Sequence, residues 1–338
     1  MPSPERPRAV IFGCAGEVLS DDERRFFRDA DPFGFILFKR NCANPSQVTE
    51  LVRNLRAAVG RDEAPVLIDQ EGGRVARLQP PHWRTYPAPG MIASLRKNAE
   101  EAAFLSARLI AEDLNNLAIS VNCVPVLDLP IANADNVIGD RAWGLTPDRA
   151  AIFGRAVCGG MLQGGVLPVI KHIPGHGRAT VDTHHALPVV ATVWAELERT
   201  DFEPFRLLND VPLAMTAHVV YAAIDSEHPA TLSRRVIDEV IRSSIGFDGM
   251  LLSDDLSMNA LSGGLGARAG AALAAGCDVA LHCNGKMDEM IEVAKAAQPL
   301  SERAAARFVA AEALRVKSRM PFDRAAAEAR FAALMAAA

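Results

Sequence analysis

The chain lacks any excess of positive charge: its 338 residues carry 36 Lys+Arg against 41 Asp+Glu, a formal net charge of −5. Phosphate backbones are held by basic faces, so nucleic acid is not an expected partner. Long apolar runs are missing too; none approaches the roughly eighteen residues of a membrane-spanning helix. The opening MPSPERPRAV breaks its charges with prolines and has no apolar leader core, so a cytoplasmic location without membrane insertion is expected. Cysteine is scarce and scattered. Cys14, Cys42, Cys123, Cys158, Cys277 and Cys283 form no CxxC pair, which excludes a zinc ribbon or a thioredoxin-like site. Several lie in apolar runs such as SVNCVPVLDL and read as free thiols of the core. No linker, internal repeat or low-complexity tract divides the chain. At 49% hydrophobic and 23% charged residues it is not disordered.

What the chain does have is alternation. Short apolar, β-branched runs stand at 8–13, 33–38, 65–69, 118–126, 166–172, 212–218, 249–254 and 278–283. Helix-like stretches separate them, among them SQVTELVRNLRAAVG, EEAAFLSARLIAEDLNNL, DRAAIFGRAVCGGMLQGG, ELERTDFEPFRLLND and RRVIDEVIRSSIG. Eight strands alternating with helices predict α/β architecture: a single (β/α)8 TIM-type barrel over residues 1–338, with an Ala-rich helical segment from about 300. A doubly wound nucleotide-binding sheet would put GxGxxG after the first strand, where this chain has GCAGEV.

In such a barrel the C-terminal strand ends converge on one pocket. Here they carry Asp69, Lys171-His172, His218 and Asp254-Asp255, with Asp128 just beyond the fourth strand. Asp128 and Asp255 have the ordinary explanation of capping the next helix. Lys, His and two Asp meeting at strand ends point to a polar, functional pocket. The loop after the fifth strand, KHIPGHGRATVDTHHALP (171–188), holds four histidines. A metal is not expected, because metal-dependent hydrolases of this fold carry HxH at the first strand and residues 10–16 contain no histidine. Asp182 and His184, two apart, allow a carboxylate to orient an imidazole as a proton donor; a solvated loop of locally bonded histidines is the alternative.

Five strings in order, IDQEGGRVARL (68–78), NVIGDRAWG (136–144), the 171–188 block, MTAHVVY (215–221) and GMLLSDDLSM (249–258), closely resemble the β-N-acetylhexosaminidases of glycoside hydrolase family 3, NagZ type. The resemblance covers nearly the whole chain. Ile173 stands where Phe is common, and Ala142-Trp143 where Ser-Phe is usual, so Trp143 is expected to reshape the sugar pocket. The resemblance implies removal of terminal β-linked N-acetylglucosamine from small muropeptide or chitooligosaccharide-type substrates in cell-wall recycling, with no cofactor. By position it makes Asp254 the nucleophile, His184 the acid/base and Asp182 its partner. Asp69, Arg77, Arg141, Lys171 and His172 match sugar-binding positions, and Arg74, Asp140 and His218 are further contacts.

Retaining hydrolysis needs a nucleophilic carboxylate and a proton donor, usually a second carboxylic acid. No glutamate stands at a comparable place, so the loop histidine takes that part. A phosphorolytic variant is the alternative enzyme, since the resemblance does not fix whether water or phosphate resolves the intermediate. A sugar-binding barrel without turnover would require loss of the nucleophile or the dyad, and both are present. An aldolase using Lys171 is disfavoured by that lysine's ready salt-bridge partners.

Overall fold

The computed structural model describes residues 6–336 apart from Asn133, His184 and His185. Eight parallel strands close a barrel: β1 (Arg8–Gly13), β2 (Pro32–Leu37), β3 (Val66–Ile68), β4 (Val121–Asn122), β5 (Leu167–Ile173), β6 (Leu213–Thr216), β7 (Met250–Asp255) and β8 (Val279–His282). Each lies beside its neighbours in chain order, and β8 returns to β1 through Val10 and Ala280. The expected (β/α)8 barrel is therefore the fold. Strand alternation sorts its apolar residues: Ile11, Leu67, Val169 and Leu281 fill the barrel, while Val10, Phe12, Ile68 and Ile170 pack under the helices.

Local signals set several helix ends. Ser20 and Glu23 form a reciprocal cap that starts Asp21–Ala30. Asn44 caps Pro45–Val59, and Gly60 ends that helix in the left-handed region.

Three segments differ from expectation. The fourth strand, expected over 118–126, pairs regularly only at Val121 and Asn122. Pro125 has no amide to donate. The Asn122 side chain substitutes for the ladder, accepting from the Gln70 amide at 2.9 Å and donating to the Gln70 carbonyl at 3.0 Å. ELERTDFEPFRLLND, expected as one helix, forms two, Trp194–Arg199 and Glu203–Leu207. Between them the Thr200 hydroxyl bonds the Glu196 carbonyl, and Asp201 turns inward to meet Arg178 at 2.6 Å.

Third, two helices follow residue 300, Glu302–Ser318 and Arg324–Ala336. The first closes the N-terminal end of the barrel: Ala304, Phe308 and Ala311 join the barrel core, and Phe308 meets Phe33 edge-on at 4.7 Å. The second packs on Ala99–Asn115, with Arg330 on Glu101 at 2.6 Å. Among the described residues no helix is long and apolar enough to cross a membrane. All six cysteines are unpaired thiols.

Candidate active site

At the other end, the strand termini surround a cavity of about 290 Å³. Asp69 follows β3 directly, and a two-stranded ribbon, Gln70–Gly72 with Val75–Ala76, then folds back over the mouth. Gly72 sits at φ +99°, and a Cβ there would meet the Pro87 carbonyl oxygen at 2.4 Å, so the ribbon needs glycine. The fold brings Glu71, Arg74 and Arg77 to the cavity with Asp69.

These groups form a chain of alternating charge. Arg77 lies 3.1 Å from Asp69, and Lys171 bridges Asp69 and Glu71 at 2.7 Å each. Arg141 grips Glu71 through Nε and a terminal nitrogen, both at 2.9 Å. Burial by itself would raise both carboxyls. Lys171 and Arg77 overcome it at Asp69, holding that group well below the usual carboxylate range. Arg141 and Lys171 do the same at Glu71, bringing it to about 2. Conversely Asp69 and Glu71 outweigh the burial of Lys171 and keep it firmly charged. Unpaired, such buried charges would be prohibitive; paired, they present fixed donors and acceptors.

Lys171 and His172 both line the cavity, although successive strand residues normally face opposite sides. The register of β5 against β6 shifts between Lys171 and Ile173, and that bulge re-aims the pair. Asp128, expected as a helix cap, does something else. Buried in the core, it accepts from His172 Nδ1 at 2.7 Å, from the His172 amide at 3.1 Å and from the His176 amide at 2.7 Å. This fixes the His172 ring with Nε2 directed away from Asp128.

Asp254, at the end of β7, also lines the cavity and accepts the Asp255 amide at 2.8 Å. Burial raises its pKa, but His172, His218, that amide and Lys171 together hold it below the usual range, so it is ionised near neutrality. Asp255 faces structural work: it accepts from the Ser257 hydroxyl and amide and from the Cys283 amide. His218 is fully buried between Thr231 and the Asp255 carbonyl rather than on the cavity wall. Arg74 and Asp140 pair at the rim at 3.0 Å, and Arg74 also donates to the Asn136 and Val137 carbonyls, latching the loop that carries Arg141.

Asp182 lines the cavity; His184 and His185 lie outside the described residues. The preceding part of the loop is tightly seated. At Gly177 a Cβ would strike the Leu129 carbonyl oxygen at 2.0 Å, so that glycine serves close packing. Thr183 is buried and its carbonyl accepts the Ala260 amide at 3.1 Å. Trp143 is not on the sugar-facing wall: it stacks on Phe153 at 5.7 Å and lines a separate small cavity behind Glu71.

Glu71 therefore stands in the pocket as well, a residue the reading of the sequence did not single out. Held ionised by two cations, Glu71 is no proton donor. Its signal was the acidic residue two positions after Asp69, on a ribbon that strand counting passes over. Among the described residues no group of three or more His, Cys, Asp or Glu is arranged to hold a metal ion.

A (β/α)8 barrel with an ionised aspartate amid fixed hydrogen-bonding charges at its mouth has the makings of a glycan-processing enzyme. Residues 18–318 match the model of the Glycosyl hydrolase family 3 N terminal domain. The chain is 38% identical over 289 residues to a beta-hexosaminidase of Pseudomonas aeruginosa, covering 85% of each. NagZ from Neisseria gonorrhoeae, solved with N-trifluoroacetyl-D-glucosamine, superposes with a TM-score of 0.86 at 31% identity over 98% of this chain and 100% of that one. A family 3 beta-N-acetylglucosaminidase from a Paenibacillus strain gives 0.83 at 32% identity; this chain covers 62% of it and 93% of itself. The chain belongs to glycosyl hydrolase family 3. It is a glycoside hydrolase of the β-hexosaminidase type.

Proposed function

We propose that the chain releases terminal, non-reducing β-linked N-acetylglucosamine from peptidoglycan fragments, including GlcNAc-1,6-anhydro-N-acetylmuramic acid and its peptides, by a retaining two-step mechanism during cytoplasmic cell-wall recycling. The observation that carries the reading is Asp254, held ionised at the cavity that Asp182 also lines. The carboxylate attacks the anomeric carbon and forms a glycosyl ester as the glycosidic bond breaks. His184, oriented by Asp182, gives its proton to the leaving oxygen and then takes one from the water that cleaves the ester. Asp69, Arg77, Lys171, Arg141 and His172 hold the sugar hydroxyls and acetamide. Six free thiols agree with a reducing compartment. Every cation lining the cavity among the described residues already holds a carboxylate, which favours hydrolysis over phosphorolysis.

The test is a side-by-side assay of aryl β-GlcNAc, β-GalNAc and β-glucoside, with GlcNAc-anhydroMurNAc as natural substrate, all in phosphate buffer. GlcNAc preference with free sugar as product is expected. Preference for the glucoside, or sugar-1-phosphate as product, overturns the reading. His184→Ala is expected to lose poor-leaving-group substrates far more than activated aryl glycosides; equal losses across a leaving-group series would make His184 a binding residue only.

A further inference from the structure

His176, in the middle of the 171–188 block, has no part in the steps assigned to Asp254 and His184. It is 3% exposed and lines the cavity with His172 and Asp254. Its backbone is pinned on both sides. Its amide donates to Asp128 at 2.7 Å and its carbonyl accepts from Ala179 at 3.1 Å. Gly175 before it receives the Tyr221 hydroxyl, and Gly177 after it lies against Leu129.

The His176 ring centroid is 5.5 Å from that of His172, yet the two rings are treated differently. His172 has Asp128 on Nδ1, whereas His176 Nδ1 is completely buried with no hydrogen-bond partner among the described residues. A buried polar atom without a partner is costly, and an apolar side chain would fill the space without that cost. Burial and the neighbouring His172 push its pKa down to about 4, so the ring is neutral near pH 7 and can both donate and accept. The ring is rigidly held and neutral on the cavity wall, and with Nδ1 closed off, Nε2 is the nitrogen left to meet a group that enters the cavity.

We propose that His176 is a further sugar-contacting residue whose ring hydrogen-bonds a neutral polar substituent, hydroxyl or acetamide, of the terminal sugar lodged against Asp254. The inference rests on the hydrolase reading and adds a contact to the same site.

The test compares wild type with His176→Phe, which keeps a ring and removes both nitrogens. His176→Gln serves as the variant that still hydrogen-bonds. Kinetics are measured on the aryl β-glycoside that wild type cleaves fastest and on its monodeoxy and des-acetamido analogues. The expected result is an unchanged or raised Tm for His176→Phe with a loss of about tenfold in kcat/KM. That loss vanishes for the one analogue lacking the contacted group, and His176→Gln recovers part of it. No loss, or an equal loss for every analogue, would overturn the contact and leave the ring to an ordered water or to packing. So would an activity loss that merely follows a fall in Tm. Where Phe does not fold, His176→Leu against His176→Gln carries the same comparison. A wild type that prefers a sugar other than GlcNAc defeats the functional reading but not this test, which uses whichever sugar is preferred.

Discussion

Where the strands begin, Phe33, Leu300, Ala304 and Phe308 plug the barrel with carbon, and the ion pairs of Arg307 with Asp278 and Asp248 lie around that plug. Where the strands end, the interior instead carries Asp69, Glu71, Lys171, Arg141 and Asp254. The same eight strands build both ends. An apolar plug gains stability from every methylene buried. A buried ion chain at best recovers its desolvation cost, and a well-packed apolar replacement is often as stable. The mouth is thus held together at little or no net gain. On the proposed function its charges serve the ligand, while the floor supplies stability.

Removing the carboxylate proposed as nucleophile should be catastrophic for turnover and mild for folding. Asp254→Ala is expected to lower kcat by about 10⁴-fold or more, because the proposed retaining mechanism has no substitute for Asp254 as nucleophile. Its Tm should stay near that of wild type. Asp255→Asn should be much milder on kcat, and labelling of Asp255 rather than Asp254 by a 5-fluoro-glycosyl inactivator would reverse the assignment.

Breaking the floor should do the reverse. Phe33→Ala removes a buried ring, 4% exposed, from its edge-on contact with Phe308. A loss of about 3–4 kcal/mol in urea unfolding is expected, with KM unchanged in the folded fraction. A KM change of tenfold would show that the two ends are coupled.

The smallest effect is a difference in pH dependence between the ends. Folding lowers the pKa of Glu71 from 4.5 to about 2, and that of Asp69 also falls from its ordinary 3.8. Their contribution is complete above the ordinary carboxylate range and is lost as pH falls through the folded values. Thermal unfolding between pH 5 and pH 2.5 should therefore show wild type losing stability that Glu71→Gln has already lost, so the two curves converge in acid. Phe33→Ala should stay parallel to wild type throughout. Parallel curves for Glu71→Gln would mean that Glu71 is not held ionised.

The barrel was legible because its signals are local. Short continuous apolar runs and helical spacing need no knowledge of distant residues, and they located all eight strands, with Asp69, Lys171, His172 and Asp254 at or beside their ends. Asp128 was misread for the opposite reason: its partners, His172 and His176, are 44 and 48 residues away, and nothing beside it in sequence announces them. The split of 196–210 into two helices likewise depends on Asp201 reaching Arg178, 23 residues earlier.

The sequence by itself determined the alternation, the barrel and the strand-end inventory of charged side chains, because hydrophobic period and strand polarity are properties of neighbouring residues. Only the tertiary structure decided which carboxylate meets which cation. Lys171 finds Asp69 across 102 residues and Arg141 finds Glu71 across 70. Such pairings are set by barrel closure, the β5 bulge and the ribbon after β3, since electrostatic partnership depends on distance in space and not on distance along the chain.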